Sequence, residues 1–326
     1  MNDLLRLITL QDANTRTVLL GAGILGLACG VVGALATLRR RALIGDTLAH
    51  ASLPGIAVAY FVIGDRHLYA FLLGALVFGL LGVWCVNLIR DHTRIKEDAA
   101  LGLVLGSFFG LGIALSKIIQ NQPAGNRAGL DGFLFGKAAS MVQADVMLIA
   151  GVAACSLLLS AALIKEFRLI AFDPAFAASL GWPVKAIDLA MMALVALCTV
   201  AGLPAVGVVM VAALLIIPGV TARLWTDRFG PLLIIAGLVG LLSGTLGTAL
   251  SAALPPPSGT LARGWPTGPL IVLVAAGAFA LSLIVAPRRG LIARARRGLL
   301  TPPDPVHTHP SPAAAPTPTP TPGSHA

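Results

Sequence analysis

Arg39-Arg-Arg-Ala-Leu-Ile-Gly-Asp46-Thr-Leu-Ala-His50-Ala-Ser-Leu-Pro54-Gly-Ile-Ala57 closes one long apolar run and opens another. The three arginines mark an aqueous boundary. Beyond them a carboxylate and an imidazole sit inside an apolar segment that continues to Ile63. Asp46 and His50 are four residues apart, a spacing that stacks them on one face of a helix. Ionisable groups at membrane depth are costly and usually face a bundle interior or an aqueous path. Mixed oxygen and nitrogen donors suit a divalent transition metal. The stretch reads as a membrane-crossing helix with an ion-handling face.

Composition agrees. The chain of 326 residues is 57% hydrophobic and 11% charged, with a mean hydropathy of +0.89. Soluble domains carry roughly 25% charged residues. Uncharged runs recur at Thr17–Leu38, Leu68–Ile89, Ala99–Ser116, Val146–Ile164, Leu189–Ala222, Phe229–Leu254 and Thr267–Pro287. A spanning helix needs about 20 apolar residues, so most of these cross once. As one helix Leu189–Ala222 would be roughly 51 Å long, and Gly202-Leu-Pro204-Ala-Val-Gly207 is the expected break into two. With Asp46–Ile63 the count is about nine, eight if one segment is re-entrant. The fold class is therefore all-α and polytopic.

The first run is followed by Arg39–Arg41 rather than by a small-residue cleavage site, so it reads as a spanning helix and not a cleaved signal. Under nine crossings, 16 of the 23 basic residues fall in alternate loops, which places those loops in the cytoplasm, the N-terminus outside and the C-terminus inside. The net charge of +9 is that of basic loops beside an anionic leaflet, with membrane lipid as the partner and no nucleic acid. Cys29, Cys85, Cys155 and Cys198 lie in apolar runs without metal-like spacing and read as small buried packing residues.

Residues 1–298 read as one membrane domain, and 299–326 as a Pro/Thr/Ala-rich disordered tail on the cytoplasmic side. His307 and His309 in that tail are two flexible imidazoles, and an inert tail is the preferred reading. The chain has no phosphate-cradling loop and no catalytic constellation. It does not read as an enzyme, and if transport uses ATP another chain must supply the ATPase.

Two loops stand out. Glu97-Asp98 begins a helix where the dipole favours acids, and a solvated helix start is one of its two readings. In Phe172-Asp173-Pro174-Ala-Phe176-Ala-Ala-Ser-Leu180-Gly181, Asp173 fits an N-cap, Pro174 the first turn and Gly181 a C-terminal stop. A short helix showing Phe172, Phe176 and Leu180 suits docking into a partner's groove. The alternative is a helix lying at the membrane interface.

Asp46 also fits an N-cap and His50 a packing histidine; the reading adopted lets Asp46 both start the helix and contact metal. Pro54-Gly55 is either a hinge or a static kink just beyond His50. The Gly202–Gly207 break and Pro218 are candidates for exposing backbone carbonyls to a pathway, helix packing being the alternative. Gly102, Gly106, Gly110 and Gly112 read as sites of close helix approach.

Arg39–Gly55 together with Glu97-Asp98-Ala-Ala-Leu-Gly102, Phe172–Ala177, Ala205–Pro218, Pro266-Thr-Gly-Pro269 and Ala286-Pro-Arg-Arg-Gly290 closely resembles the permease subunits of ATP-binding-cassette importers for manganese, zinc and iron. The ordered motifs cover most of residues 17–292. The resemblance implies a permease dimer in the bacterial cytoplasmic (inner) membrane. It would stand on two cytoplasmic ATP-binding subunits and receive metal from an extracytoplasmic metal-binding protein. It implies that Asp46 and His50 contact the metal and that Phe172, Asp173, Pro174, Phe176, Leu180 and Gly181 couple to the ATPase. Pro54, Gly55 and Pro218 are the candidates for gating. No permanently bound cofactor is implied; Mn²⁺, Fe²⁺ or Zn²⁺ is the transported substrate. Asn126–Ala139 and Ala286–Gly290 look most like the manganese/iron branch, some members of which pair two different permeases. The insert Pro255–Trp265 and the tail depart from the pattern. The competing class is an ATP-independent metal channel or an ion-coupled carrier.

Overall fold

Apolar runs of this length in a bilayer must satisfy their backbone groups internally, which leaves helix as the form available to single segments. The computed structural model describes residues 13–64, 67–121, 141–254 and 265–296, and every regular element among them is an α-helix. These are α1 (Ala13–Leu38), α2 (Ile44–Ala51), α3 (Leu53–Ile63), α4 (Leu68–His92), α5 (Glu97–Gln120), α6 (Gln143–Ala162), α7 (Ile164–Phe172), α8 (Pro174–Ser179), α9 (Val184–Val206), α10 (Val208–Trp225), α11 (Phe229–Ala253), α12 (Thr267–Val285) and α13 (Leu291–Arg296). The Asn126–Ala139 stretch, the insert up to Gly264 and the tail with His307 and His309 lie outside the described residues.

The centre of the bundle is α1 against α11. Gly26 and Gly240 face each other so closely that a Cβ on either would stand inside the other's carbonyl group, and this lets the two backbones meet directly. α1, α2, α9 and α10 form the most buried part of the molecule, whereas α4, α5, α6 and α12 keep most of their apolar surface outward.

One end of the bundle gathers the ion pairs. Arg39 at the end of α1 binds Asp188 at the start of α9 and donates to the Ile170 carbonyl of α7 (2.8 Å). Phe172 of α7 meets Phe229 at the start of α11 with ring centroids 6.4 Å apart. Asp227, between α10 and α11, pairs with Arg288 (3.0 Å) and Arg289 (2.8 Å) after α12. The opposite end brings Ser251 of α11 to Thr267 of α12 (3.1 Å) and holds the α9–α10 turn.

Among the described residues eight segments are long and apolar enough to span a membrane, Ile44–Ile63 counting once, and Met210–Trp225 is a shorter apolar helix. α10 has 18 residues, about 27 Å, close to the roughly 30 Å core thickness. Its start lies at the α9–α10 turn and its end next to Asp227 at the ion-paired end, so among the described residues it runs the length of the bundle as a shorter apolar helix beside the eight spans.

The break within Leu189–Ala222 falls at one residue. α9 runs through Gly202 and Pro204 to Val206 and stops at Gly207, whose φ of 88° and ψ of 166° belong to a region open essentially to glycine. Pro218 leaves α10 unbroken. Two packing expectations need correction. Gly112 does face Leu53 and Pro54, but nothing approaches Gly102, Gly106 or Gly110 within 4 Å, so these three face outward from the chain. Cys29 and Cys198 are buried as expected, whereas Cys155 is exposed on the outer side of α6, a helix that buries little of its surface.

Candidate functional site

The start of α2 is decided by the turn before it. Arg40 has a φ of 59°, and Arg40 N donates to Thr37 O (3.1 Å) and Arg41 N to Ala36 O (2.9 Å). This is a left-handed closure of α1 of the kind usually built on glycine. Leu43 is already helical, with φ −71° and ψ −13°, and is the N-cap of α2. Asp46 is therefore the third residue of the helix and makes no capping bond; the expectation that it caps the helix is not met. Its carboxylate still lies in the first turn, where the helix dipole favours it.

Asp46 and His50 do meet. His50 Nε2 stands 3.6 Å from Asp46 Oδ1, with the two side chains 19% and 37% exposed. This is ion-pair range, longer than a hydrogen bond. The His50 ring packs edge-on against Phe109 of α5, centroids 4.9 Å apart, and its Nδ1 is buried with no hydrogen-bond partner. An ion about 2.1–2.2 Å from both atoms would bridge them at roughly 110–120°, a tetrahedral angle; an octahedral ion needs the pair to close to roughly 3.0 Å. Among the described residues no group of three or more His, Cys, Asp or Glu could hold a metal, so the Asp46–His50 pair by itself offers at most two donors.

The surroundings fix α2 on several sides. Gly45 lies against Leu215 of α10 and Val195 of α9. Pro54, without an N–H, leaves the His50 carbonyl without its regular helical donor. Ser52 N still donates to Leu48 O (3.0 Å) and Ile56 N to Ser52 O (3.2 Å), so α2 and α3 remain nearly coaxial. Gly55 meets the Gly74 backbone of α4, and Pro54 rests on Gly112 of α5. Pro218 is one turn from Leu215, on the side of α10 towards the ion-paired end.

At that end, α8 forms as its sequence suggests. Asp173 Oδ1 accepts from Phe176 N (2.9 Å), Pro174 opens the helix, and Gly181 closes it with a φ of 81°. Phe172, Phe176 and Leu180 are each more than half exposed, and Trp182, which the sequence reading passed over, is exposed beside them to a lesser degree. Lys165, Arg168, Leu169, Phe172 and Asp173 line an open cleft of about 510 Å³ at the root of the helix.

A second feature escaped the sequence reading. Asp188, 7% exposed, receives Arg39 Nη2 on Oδ1 (3.1 Å) and Arg41 Nη1 on Oδ2. Arg41, 8% exposed, also reaches Glu97 Oε1 through Nε (3.2 Å), and Arg90 lies 3.9 Å from the other Glu97 oxygen. Glu97 is thus more than a solvated helix start. Burial lowers the Arg41 guanidinium below its ordinary range, opposed by Asp188 and Glu97. The available signals were a lone carboxylate at the head of an apolar run and a triple arginine, and neither names its partner.

Residues 11–286 match the ABC 3 transport family. The chain is 48% identical over 290 residues to the manganese transport system membrane protein MntC of Bacillus subtilis (strain 168), covering 89% of this chain but 65% of that relative's length. It is 38% identical over 292 residues to the zinc transport system membrane protein TroC of Treponema pallidum (strain Nichols), covering 90% and 95%. Its fold superposes on a structure of PsaBC from Streptococcus pneumoniae in complex with Fab with a TM-score of 0.75, at 29% identity, covering 88% of this chain and 97% of that one. The bundle, its motifs and these likenesses agree: the chain belongs to the ABC 3 transport family and has the fold of its membrane permeases.

Proposed function

We propose that the chain is the transmembrane subunit of an ATP-driven importer that carries a divalent transition metal, manganese foremost, into the bacterial cytoplasm. The observation that carries this reading is the Asp46–His50 pair, a carboxylate and an imidazole 3.6 Å apart within a membrane-spanning segment, with His50 Nδ1 left unpartnered. Such a pair is unfavourable unless something completes it.

Two ligands make a weak site, and a permeation site must release its ion. A second permease facing the first would add another Asp/His pair during passage. The exposed aromatic residues of α8 and the basic cleft beside it suit an ATP-binding subunit on the cytoplasmic side, and an extracytoplasmic binding protein would deliver metal to the opposite end. Manganese is favoured by the 48% identical relative named for its transport, and zinc is the rival drawn from the 38% identical one.

The test is uptake of radioactive Mn²⁺ and Zn²⁺ into proteoliposomes holding this chain, its ATP-binding subunit, its binding protein and any second permease. Uptake is expected to need ATP and to fall at least tenfold in both Asp46→Asn and His50→Ala, as loss of a metal ligand should, with protein abundance unchanged. Full uptake by Asp46→Asn overturns the ligand role, and uptake without ATP overturns the importer reading. The faster metal fixes the substrate.

A further inference from the structure

The importer reading requires movement at α8 to reach Asp46, and one set of side chains lies between them. We propose that the ionic clasp centred on Asp188 transmits movement from the docking helix to the metal-bearing helix, with Asp188 and Arg41 as positioning residues for transport. The inference rests on the importer reading and deepens it.

The connection is short at every step. α8 is closed by Gly181 N donating to Ala178 O (3.0 Å) and Trp182 N to Ala177 O (3.1 Å), and Pro183 is already the N-cap of α9. A displaced α8 therefore carries the first turns of α9 with it. Asp188 is in the second of those turns, and both its oxygens are held by arginines that flank the left-handed Arg40. Arg41 is five residues before Asp46. Its guanidinium divides between Asp188 of α9 and Glu97 of α5, so α2 is suspended between the element that follows the docking helix and the helix whose Phe109 packs on His50. Lys185, one turn from Asp188, also reaches Asp91 of α4 (3.2 Å). Deeper in the bundle Val195 of the same α9 packs against Gly45, the neighbour of Asp46.

The chemistry suits transmission better than simple stabilisation. Well-packed apolar residues would hold these helices at least as firmly as a buried ion network, because removing the charges from water offsets their attraction. A forked guanidinium on a carboxylate has a defined geometry that is either made or broken, which gives a two-position contact rather than a soft one. Arg41 with two acidic partners on different helices can shift its weight from one to the other without being stranded.

The experiment measures metal transported per ATP hydrolysed by the reconstituted importer. Asp188→Asn keeps the shape and removes the charge, and Arg41→Lys keeps the charge and removes the fork. ATP hydrolysis is expected to continue within about twofold, while metal moved per ATP falls about tenfold in Asp188→Asn and about fivefold in Arg41→Lys, the range of an ordinary coupling between sites. An unchanged ratio in both variants overturns the inference. A parallel loss of hydrolysis and uptake in variants that accumulate as folded protein also overturns it, because metal moved per ATP is then unchanged. If Asp188→Asn does not accumulate, Arg41→Lys decides alone. A wild-type complex that shows no ATP-dependent uptake defeats the importer reading itself, an outcome distinct from an unchanged ratio in a working importer.

Discussion

Asp46 and Asp188 are the only carboxylates of α2 and α9, and the fold treats them in opposite ways. Asp188 is over-supplied: two arginines hold its two oxygens, and one of them is shared with Glu97. Asp46 is under-supplied, with a histidine at 3.6 Å whose other nitrogen has no partner. Buried charge is ordinarily paired and hydrogen-bonded. The saturated site therefore reads as part of the protein's own framework, and the unsaturated, partly exposed one is the proposed metal contact. The two are joined through Arg41, so the contrast also gives a direction: a firm clasp acting on a pliable site.

Stability measurements test the contrast most severely. Asp188→Ala leaves Arg39 with the Ile170 carbonyl and Arg41 with Glu97 alone, and should cost about 3–5 kcal/mol, the usual penalty for breaking a buried ion pair by removing one partner. Asp46→Asn removes an incompletely paired charge of similar shape and should change stability by less than about 1 kcal/mol. Unfolding in detergent, followed by helix signal, compares the two directly. Equal losses would erase the distinction between framework and site. Replacing Arg39, Arg41 and Asp188 together by apolar residues should recover most of the lost stability but not the transport ratio, which separates holding the helices together from moving them.

The fold was legible in the chain because its strongest signal is length of apolar run, and that signal is local. The same holds for α8, where Asp173, Pro174 and Gly181 each act within a few residues of themselves. The clasp was not legible: Arg39 and Asp188 are 149 residues apart, and only the packed bundle brings them together. Asp46 misled as a cap for a related reason. Capping rules assume that a helix begins where its polar residue stands, but the turn at Arg40 had already placed Leu43 in helical conformation. The Asp46–His50 pair lay between these cases. Its spacing fixed the shared face, while the depth of His50 and its Phe109 neighbour depended on α5.

A smaller effect is expected at the docking helix, where the question is whether its conformation or only its apolar surface matters. Asp173→Ala removes the bond to Phe176 N and should weaken α8 by about 1 kcal/mol. Hydrogen exchange of the amides following Pro174 should accelerate about fivefold, the same energy read as an opening equilibrium. Asp173→Asn keeps an N-cap acceptor and should leave exchange near wild type. Unchanged exchange in the alanine variant would mean that packing of α7 and α9, not the cap, sets this helix.

The mildest test concerns Asp227, which closes the far side of the same end of the bundle with Arg288 and Arg289. Unlike Asp188 it is close to half exposed, so water and salt compete for it. The hydrogen bond from Arg288 holds its carboxyl below the ordinary carboxylate range, with Arg289 acting in the same direction. A group whose pKa is lowered by folding contributes stability that is fully present above its unfolded value and disappears as pH falls through its folded value. The difference in Tm between wild type and Asp227→Asn should thus be constant from neutral pH down to about pH 5, begin to shrink near pH 4, and vanish only once the pH has fallen below the lowered range of the folded carboxyl. It should amount to roughly 1–2 °C at most and be reduced in about 1 M salt, where the Debye length is near 3 Å. A difference that survives both acid and salt would place Asp227 with Asp188 as framework, and would mean that exposure alone does not separate the two kinds of ion pair at this end of the molecule.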